Sequence, residues 1–153
     1  MTLFETVVSA MIDYDVLVEV KEHELVIIDR GNGNKLHVYE EEYFSQNMTD
    51  RFVEYIVEFS TQHCHFSADE EDEILEYIQS IIDDKVLPIE FYSDGKRRFG
   101  GEIKADDLDK LSVSYLAQQY GYTSDYLLSF DYEIHSWSGK YDTGLRRVAD
   151  LKL

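Results

Sequence analysis

Along the first two-thirds of the chain the spacing of apolar residues changes period several times, and each change marks an element. Phe4, Val7, Val8 and Met11 recur at helical spacing behind Thr2 and Glu5, a capping-box pair, so a short amphipathic helix is predicted over about residues 3 to 12. Val16, Val18 and Val20 then alternate with polar neighbours. Leu25 to Ile28 is an apolar, β-branched run, and alternation returns around Leu36 and Val38. The breaks between them are Glu22-His23-Glu24 and Arg30-Gly31-Asn32-Gly33-Asn34, so a three-stranded antiparallel meander with one Asn/Gly hairpin turn is predicted.

Beyond Glu40, Glu41 and Glu42, the polar residues Asp50, Glu54 and Glu58 stand four apart in an otherwise apolar stretch. This spacing predicts a largely buried helix from Thr49 to about Gln62. The strongest helix signal follows, in Ser67 to Lys85. Ser67 and Glu70 have capping-box spacing, and Asp69, Glu70 and Glu71 suit the positive end of a helix dipole. Ile74, Ile78, Ile81 and Ile82 form one apolar stripe. Asp69, Glu73, Glu76 and Asp83 fall near the opposite line, so this helix is expected to be anchored from behind while presenting carboxylates to water.

The second half opens with Pro88 and a strand-like run, Ile89 to Tyr92, turned by Ser93-Asp94-Gly95-Lys96 and returned by Arg97 to Lys104. A helix is predicted from Asp106 to Gly121, with the glycine ending it in the left-handed conformation. Alternation over Leu127 to Trp137 predicts a strand, and Leu145 to Leu153 a last one. Hairpin-length connections exclude the long crossovers of a parallel sheet. The fold class expected is therefore α+β, a single domain over residues 1 to 153 with antiparallel sheet and about four helices.

Charge alters this picture more than composition does. Hydrophobic residues make up 44% and aromatic residues 14% of the 153, enough for a packed core despite a net charge of −18. Residues 1 to 84 hold 21 Asp or Glu and 4 Lys or Arg, while residues 85 to 153 are nearly balanced. An anionic surface repels phosphate backbones and anionic lipid, so direct nucleic-acid and membrane binding are not expected. The lone Cys64 forms no internal bridge, and no apolar run reaches the ~20 residues of a membrane span, so a cytoplasmic protein is expected.

Candidate chemistry is sparse. His63-Cys64-His65 contains ligand-type residues without the second pair that a tetrahedral site needs, and Asp131, Glu133 and His135 share one strand face. The glycines of Gly31-Asn32-Gly33 lack a following helix and a Gly-Lys-Ser/Thr, so they are read as a turn. Lys96-Arg97-Arg98 and Arg146-Arg147 are read as internal counter-charges. Asp94, Glu102 and Lys104 resemble in outline the metal-dependent nucleases whose motif is Asp followed by (Asp/Glu)-x-Lys, where the acids hold Mg²⁺ and the Lys steadies the attacking water. No cofactor and no metal are expected.

What remains is the acid itself. Carboxylates four apart on a helix stand roughly 6 Å apart along its axis, comparable with the ~3.4 Å per charge of one nucleic-acid strand. The partner-binding face expected comprises Asp69, Glu70, Glu73, Glu76 and Asp83, with Glu54 and Glu58 on the preceding helix and Glu40, Glu41 and Glu42 before it. Tyr39, Tyr43, Tyr55 and Tyr77 are candidates to add contact area. The expectation is an acidic binding protein that docks on the basic groove of a nucleic-acid enzyme, in the manner of phage inhibitors of restriction and CRISPR nucleases. An immunity protein or antitoxin against a basic toxin, and a metal-dependent nuclease using Asp94, Glu102 and Lys104, are the alternatives.

Overall fold

A computed structural model describes residues Met1 to Leu153 and shows an α+β chain with two antiparallel sheets. The chain forms two compact units, Met1–Ile82 and Asp83–Leu153. That boundary lies two residues from the point at which the sequence changes from acidic to nearly neutral.

The first unit begins with α1 (Leu3–Ala10), closed by the predicted capping box. The Thr2 hydroxyl accepts from the Glu5 N–H at 3.2 Å, and the Glu5 carboxylate accepts from the Thr2 N–H at 2.7 Å. Five strands follow in sequential order: β1 (Val16–Val20), β2 (Glu24–Asp29), β3 (Lys35–Phe44), β4 (Arg51–Phe59) and β5 (Gln62–Ser67). The Asn/Gly turn between β2 and β3 is as expected. Asp29 Oδ2 accepts from the N–H groups of Gly31 and Asn32, and Gly33 takes a left-handed φ of 77°.

The helix predicted from Thr49 to Gln62 does not exist; its residues form β4 and the start of β5. The four-residue spacing of Asp50, Glu54 and Glu58 suits one helix face, but four is also an even number and suits one strand face equally. Val53, Tyr55, Ile56, Val57 and Phe59 are the residue types that strands favour. Phe52 and Ile56 stand on the same face as Asp50, Glu54 and Glu58, so the apolar and polar alternation that would identify the strand is blurred. The meander therefore has five strands rather than three.

Leu25, Ile27, Leu36, Val38, Val57 and Phe66 face one side of this sheet. On that side α1 meets it through Phe4 against Tyr55, and α2 (Glu71–Ile82) through Tyr77 against Phe66. Ile74, Ile78, Ile81 and Ile82 are buried there, as their spacing predicts. The start of α2 differs from expectation. Ser67 ends β5, and its hydroxyl donates to the carboxylates of Asp69 and Glu70 instead of accepting a helix N–H. Only the reciprocal half of the capping box forms, with the Glu70 carboxylate accepting from the Ser67 N–H at 2.9 Å.

The second unit contains β6 (Val86–Ser93), β7 (Lys96–Lys104), α3 (Val113–Tyr120), α4 (Ser124–Leu127), β8 (Asp131–Ile134) and β9 (Arg146–Arg147), with sheet order β7-β6-β8-β9. The predicted hairpin of β6 and β7 turns at Asp94 and Gly95, both with positive φ. The predicted 106 to 121 helix divides into a 3-10 segment, Ala105–Lys110, and α3. Ser112 caps α3, accepting from the Tyr115 N–H, and Gly121 ends it at φ 73°. The two C-terminal strands are much shorter than alternation suggested. Leu127 belongs to α4, and after two ladder residues the last strand becomes a 3-10 turn, Val148–Asp150. Leu87, Ile89, Phe91, Ile103, Leu116 and Leu127 form the centre of this unit's core.

Candidate acidic interface

The structure places nine of the ten predicted interface carboxylates on three surfaces of the first unit, and the tenth, Asp83, in the second unit. Helix α2 carries the first. Glu73 and Glu76 project from it as exposed residues that belong to no ion pair, opposite a stripe of isoleucines that is buried throughout. Asp69 and Glu70 precede the helix. Both carboxyls are held below the usual carboxylate range, Asp69 through its hydrogen bond from the Ser67 hydroxyl and Glu70 chiefly through the Ser67 N–H. Asp83 lies after the helix as the first residue of the second unit.

The other two surfaces arise because a strand alternates its side chains. Glu40 and Glu42 fall on the helix-covered side of the sheet, level with Tyr55 and Val53. Glu40 accepts from the Tyr55 hydroxyl at 3.3 Å and lies 3.4 Å from His23, while Glu42 is paired with Arg51. Glu41, Glu54 and Glu58 lie on the opposite side. There Glu54 is hydrogen-bonded to His65 at 2.6 Å, Glu24 to His37 at 2.7 Å, and Glu41 accepts from the Tyr43 hydroxyl. Glu58 stands in register between His37 and His63.

Glu41 and Glu54 are direct cross-strand partners, an arrangement of like charges that destabilises a ladder. The neighbouring phenol and imidazole offset part of that cost. The phenols respond to this field. Tyr43 is pushed well above its ordinary value by its hydrogen bond to Glu41 and by Glu54. Desolvation raises Tyr39 and Tyr55, with Glu58 and Glu40 adding to it. In the second unit the hydrogen bond to Glu90 pushes Tyr92 up to about 12.

A phenol raised in the fold favours the folded state fully below about pH 10, where unfolded tyrosine ionises, and loses that contribution as pH climbs through the folded value. Tyrosinate absorbance of the native chain is therefore expected to rise at higher pH than that of the same chain in denaturant. Glu41→Gln with Glu54→Gln should bring Tyr43 back toward the unfolded curve. Coincident native and unfolded titrations would contradict the hydrogen bonding described.

Of the four tyrosines expected to add contact area, only Tyr43 is an exposed one. Tyr55 and Tyr77 are engaged in packing against Phe4 and Phe66, and Tyr39 stacks on His37. The exposed apolar residues at the outer end of β3 and β4, Phe44, Met48 and Phe52, had no place in the expected interface. Their signal in the sequence is a Tyr-Phe and an Arg-Phe pair flanking a Ser-Gln-Asn-Met-Thr-Asp loop, which the helical spacing of Asp50, Glu54 and Glu58 masks.

The remaining candidates are not assembled. Asp94 occupies the β6–β7 turn, whereas Glu102 lies opposite Pro88, six residues along β7 from Lys96, about 20 Å away at strand rise. The nuclease-like triplet is therefore not brought together. His63 and His65 share a face of β5 with rings 5.1 Å apart, and Cys64 points the other way. No group of three or more His, Cys, Asp or Glu is arranged to hold a metal ion, and this includes Asp131, Glu133 and His135. His135 instead lies 3.9 Å from both Glu133 and the buried Glu90. No helix is long and apolar enough to cross a membrane.

Comparison with protein-family models, curated proteins and solved structures finds no match to this chain.

Proposed function

We propose that this protein works by binding, using its acidic first unit to occupy the cationic groove of a nucleic-acid enzyme and so inhibit it. The observation that carries this reading is the segregation of charge into one folding unit. Residues 1 to 82 contain 19 Asp or Glu and 4 Lys or Arg. Three of those four cations, Lys21, Arg30 and Arg51, are already paired with acids of the same unit. Compensation from within is thus nearly exhausted, and the field of the unit is directed to solvent. Solubility alone does not require acids at unfavourable places such as the Glu41–Glu54 pair.

Grooves that bind phosphate backbones are the protein surfaces with the most concentrated positive charge, which makes them the best electrostatic complement. Complementarity of this kind speeds encounter and fixes register. Unpaired Glu73 and Glu76 on α2 are the acids best placed to contribute, since neither must first leave an internal partner.

The test is capture on immobilised protein from lysate of the native host, followed by elution with salt and separately with duplex DNA. The expected result is a nucleic-acid enzyme released by either, inhibited by the free protein, and bound about tenfold more weakly by Glu73→Gln/Glu76→Gln, near 1.4 kcal/mol. Retention of a basic toxin that DNA does not displace would replace this reading with an immunity function. Retention of no cationic protein would remove both.

A further inference from the structure

Four exposed large apolar residues of the first unit, Tyr43, Phe44, Met48 and Phe52, lie at the outer end of the β3–β4 hairpin, beyond the sheet. Strand β3 pairs with β2 only as far as Tyr39, and β4 pairs with β5 only from Glu54 onward. The ladder of β3 with β4 continues through Glu42–Val53, Tyr43–Phe52 and Phe44–Arg51 with no strand on either side. This leaves a projecting two-stranded ribbon, a construction that is marginally stable by itself in water.

Its tip nevertheless has defined structure. The Ser45 N–H donates to the Asp50 carbonyl at 2.9 Å, the Asp50 N–H donates to Ser45 Oγ at 3.0 Å, and the Thr49 hydroxyl donates to Asn47 Oδ1 at 2.7 Å. Met48 is held at a left-handed φ of 59°. On this ordered tip Tyr43, Phe44, Met48 and Phe52 are 44, 53, 72 and 57% exposed. Tyr43 and Phe52, direct cross-strand partners, occupy one face of the ribbon and Phe44 the other, so an apolar tip with carboxylates behind it presents both faces, the apolar centre and polar rim of a protein interface.

We propose that residues 40 to 54 form a docking arm that inserts Tyr43, Phe44, Met48 and Phe52 into an apolar slot on a cationic protein surface. The inference deepens the inhibitory reading and rests on it. Charge selects the occupant. Glu40, Glu41, Glu42, Asp50 and Glu54 stand against Arg51 alone, a net of −4 over the arm, and Arg51 is tied to Glu42. The arm of a second copy would bring like charge against like, whereas Lys or Arg around a slot would neutralise the stem as the aromatic residues enter. Three aromatic anchors, Tyr43, Phe44 and Phe52, on a tip already ordered lower the entropic cost of docking, and buried aromatic residues typically supply the largest share of interface energy.

Two sites are compared in one experiment. A photo-crosslinking amino acid replaces Phe44 in one version and Glu76 in another, both are irradiated in lysate of the native host, and each captured protein is identified, purified and titrated calorimetrically at two salt concentrations. The expected result is one cationic protein captured from both sites. Phe44→Ser/Phe52→Ser should weaken it at least ~30-fold with its salt dependence unchanged, while Glu73→Gln/Glu76→Gln loses about tenfold and shows a shallower salt dependence. The loop variant Met48→Ser, which alters no strand, should weaken binding in the same direction, and native melting curves for all three will confirm that folding is intact.

Capture through position 76 alone, with Phe44→Ser/Phe52→Ser binding within twofold of the wild type, overturns the arm and leaves the inhibitory reading standing. A crosslinked dimer of this chain, or a light-scattering dimer dissolved by Phe44→Ser/Phe52→Ser, overturns the cationic occupant. Capture of no cationic protein from either position overturns both proposals together.

Discussion

Replacement of Gly101 by alanine is expected to destabilise the protein by about 3 kcal/mol, at the upper end for an overpacked core, and to lower the melting temperature by roughly 6 to 12 °C. Gly101 lies on β7 opposite Ile89, and a Cβ built there would overlap Cε1 of Tyr120 and stand 2.9 Å from its Cζ. The ring is not free to retreat. Its hydroxyl donates to the Glu102 carbonyl at 2.8 Å, and its ring packs in a T-shaped contact against the fully buried Phe91, which in turn stacks on Phe99. Space, not backbone conformation, therefore demands glycine here.

A double-mutant cycle makes the argument specific. In a Tyr120→Ala background the same Gly101→Ala change should cost almost nothing or stabilise, because glycine inside a strand is otherwise a weakness. Thermal melts of the four proteins provide the measurement. Equal costs in both backgrounds would show that the ring is not the obstacle.

The second large effect is expected at Ile78. It is fully buried on α2 beside Ile74, Ile81 and Ile82, and truncation to alanine should cost about 3 to 4 kcal/mol, with Ile78→Val costing nearer 1. Urea denaturation of the two variants tests the gradient. The consequence reaches the proposed interface, because the same helix holds Glu73 and Glu76 on its exposed side. Ile78→Ala is expected to weaken partner binding although it removes no charge. A cost below 1 kcal/mol would mean that α2 is not anchored by its isoleucine stripe.

The isoleucine stripe illustrates what a local pattern can convey. A helix with one buried side needs only its own 3.6-residue period, and α2 was predicted correctly on that basis. The capping pair Thr2–Glu5, the glycine at 121 and the Asp94-Gly95 turn were legible for a similar reason, since each satisfies backbone groups within four residues. Where the neighbour is distant in sequence, legibility ends. Strand β4 is flanked by β3 and β5, and its polar positions at intervals of four are consistent with either period. The shortened C-terminal strands depend on what pairs with them, such as the Val148 N–H donating to the Phe130 carbonyl.

The candidate interface divides in the same way. That the first half is acidic, and that its acids cluster at 40 to 42 and 69 to 76, is a property of composition and order. Which of those acids share a surface is not. One peptide step along β3 carries Glu41 to the side of Glu54 while Glu40 and Glu42 stay on the other, a separation invisible until the strand pairing is known. The α+β class, the buried stripe of α2, the Thr2–Glu5 cap, the Asn/Gly and Asp94-Gly95 turns and the segregation of charge all follow from short-range periodicity and simple counting. Long-range pairing and packing alone make 51 to 59 an interior strand, carry the hairpin beyond its sheet so that an aromatic tip is exposed, and leave no room beside Tyr120 at residue 101. Those features depend on which distant segments meet, and the free energy that selects the meeting is not held in any one stretch of chain.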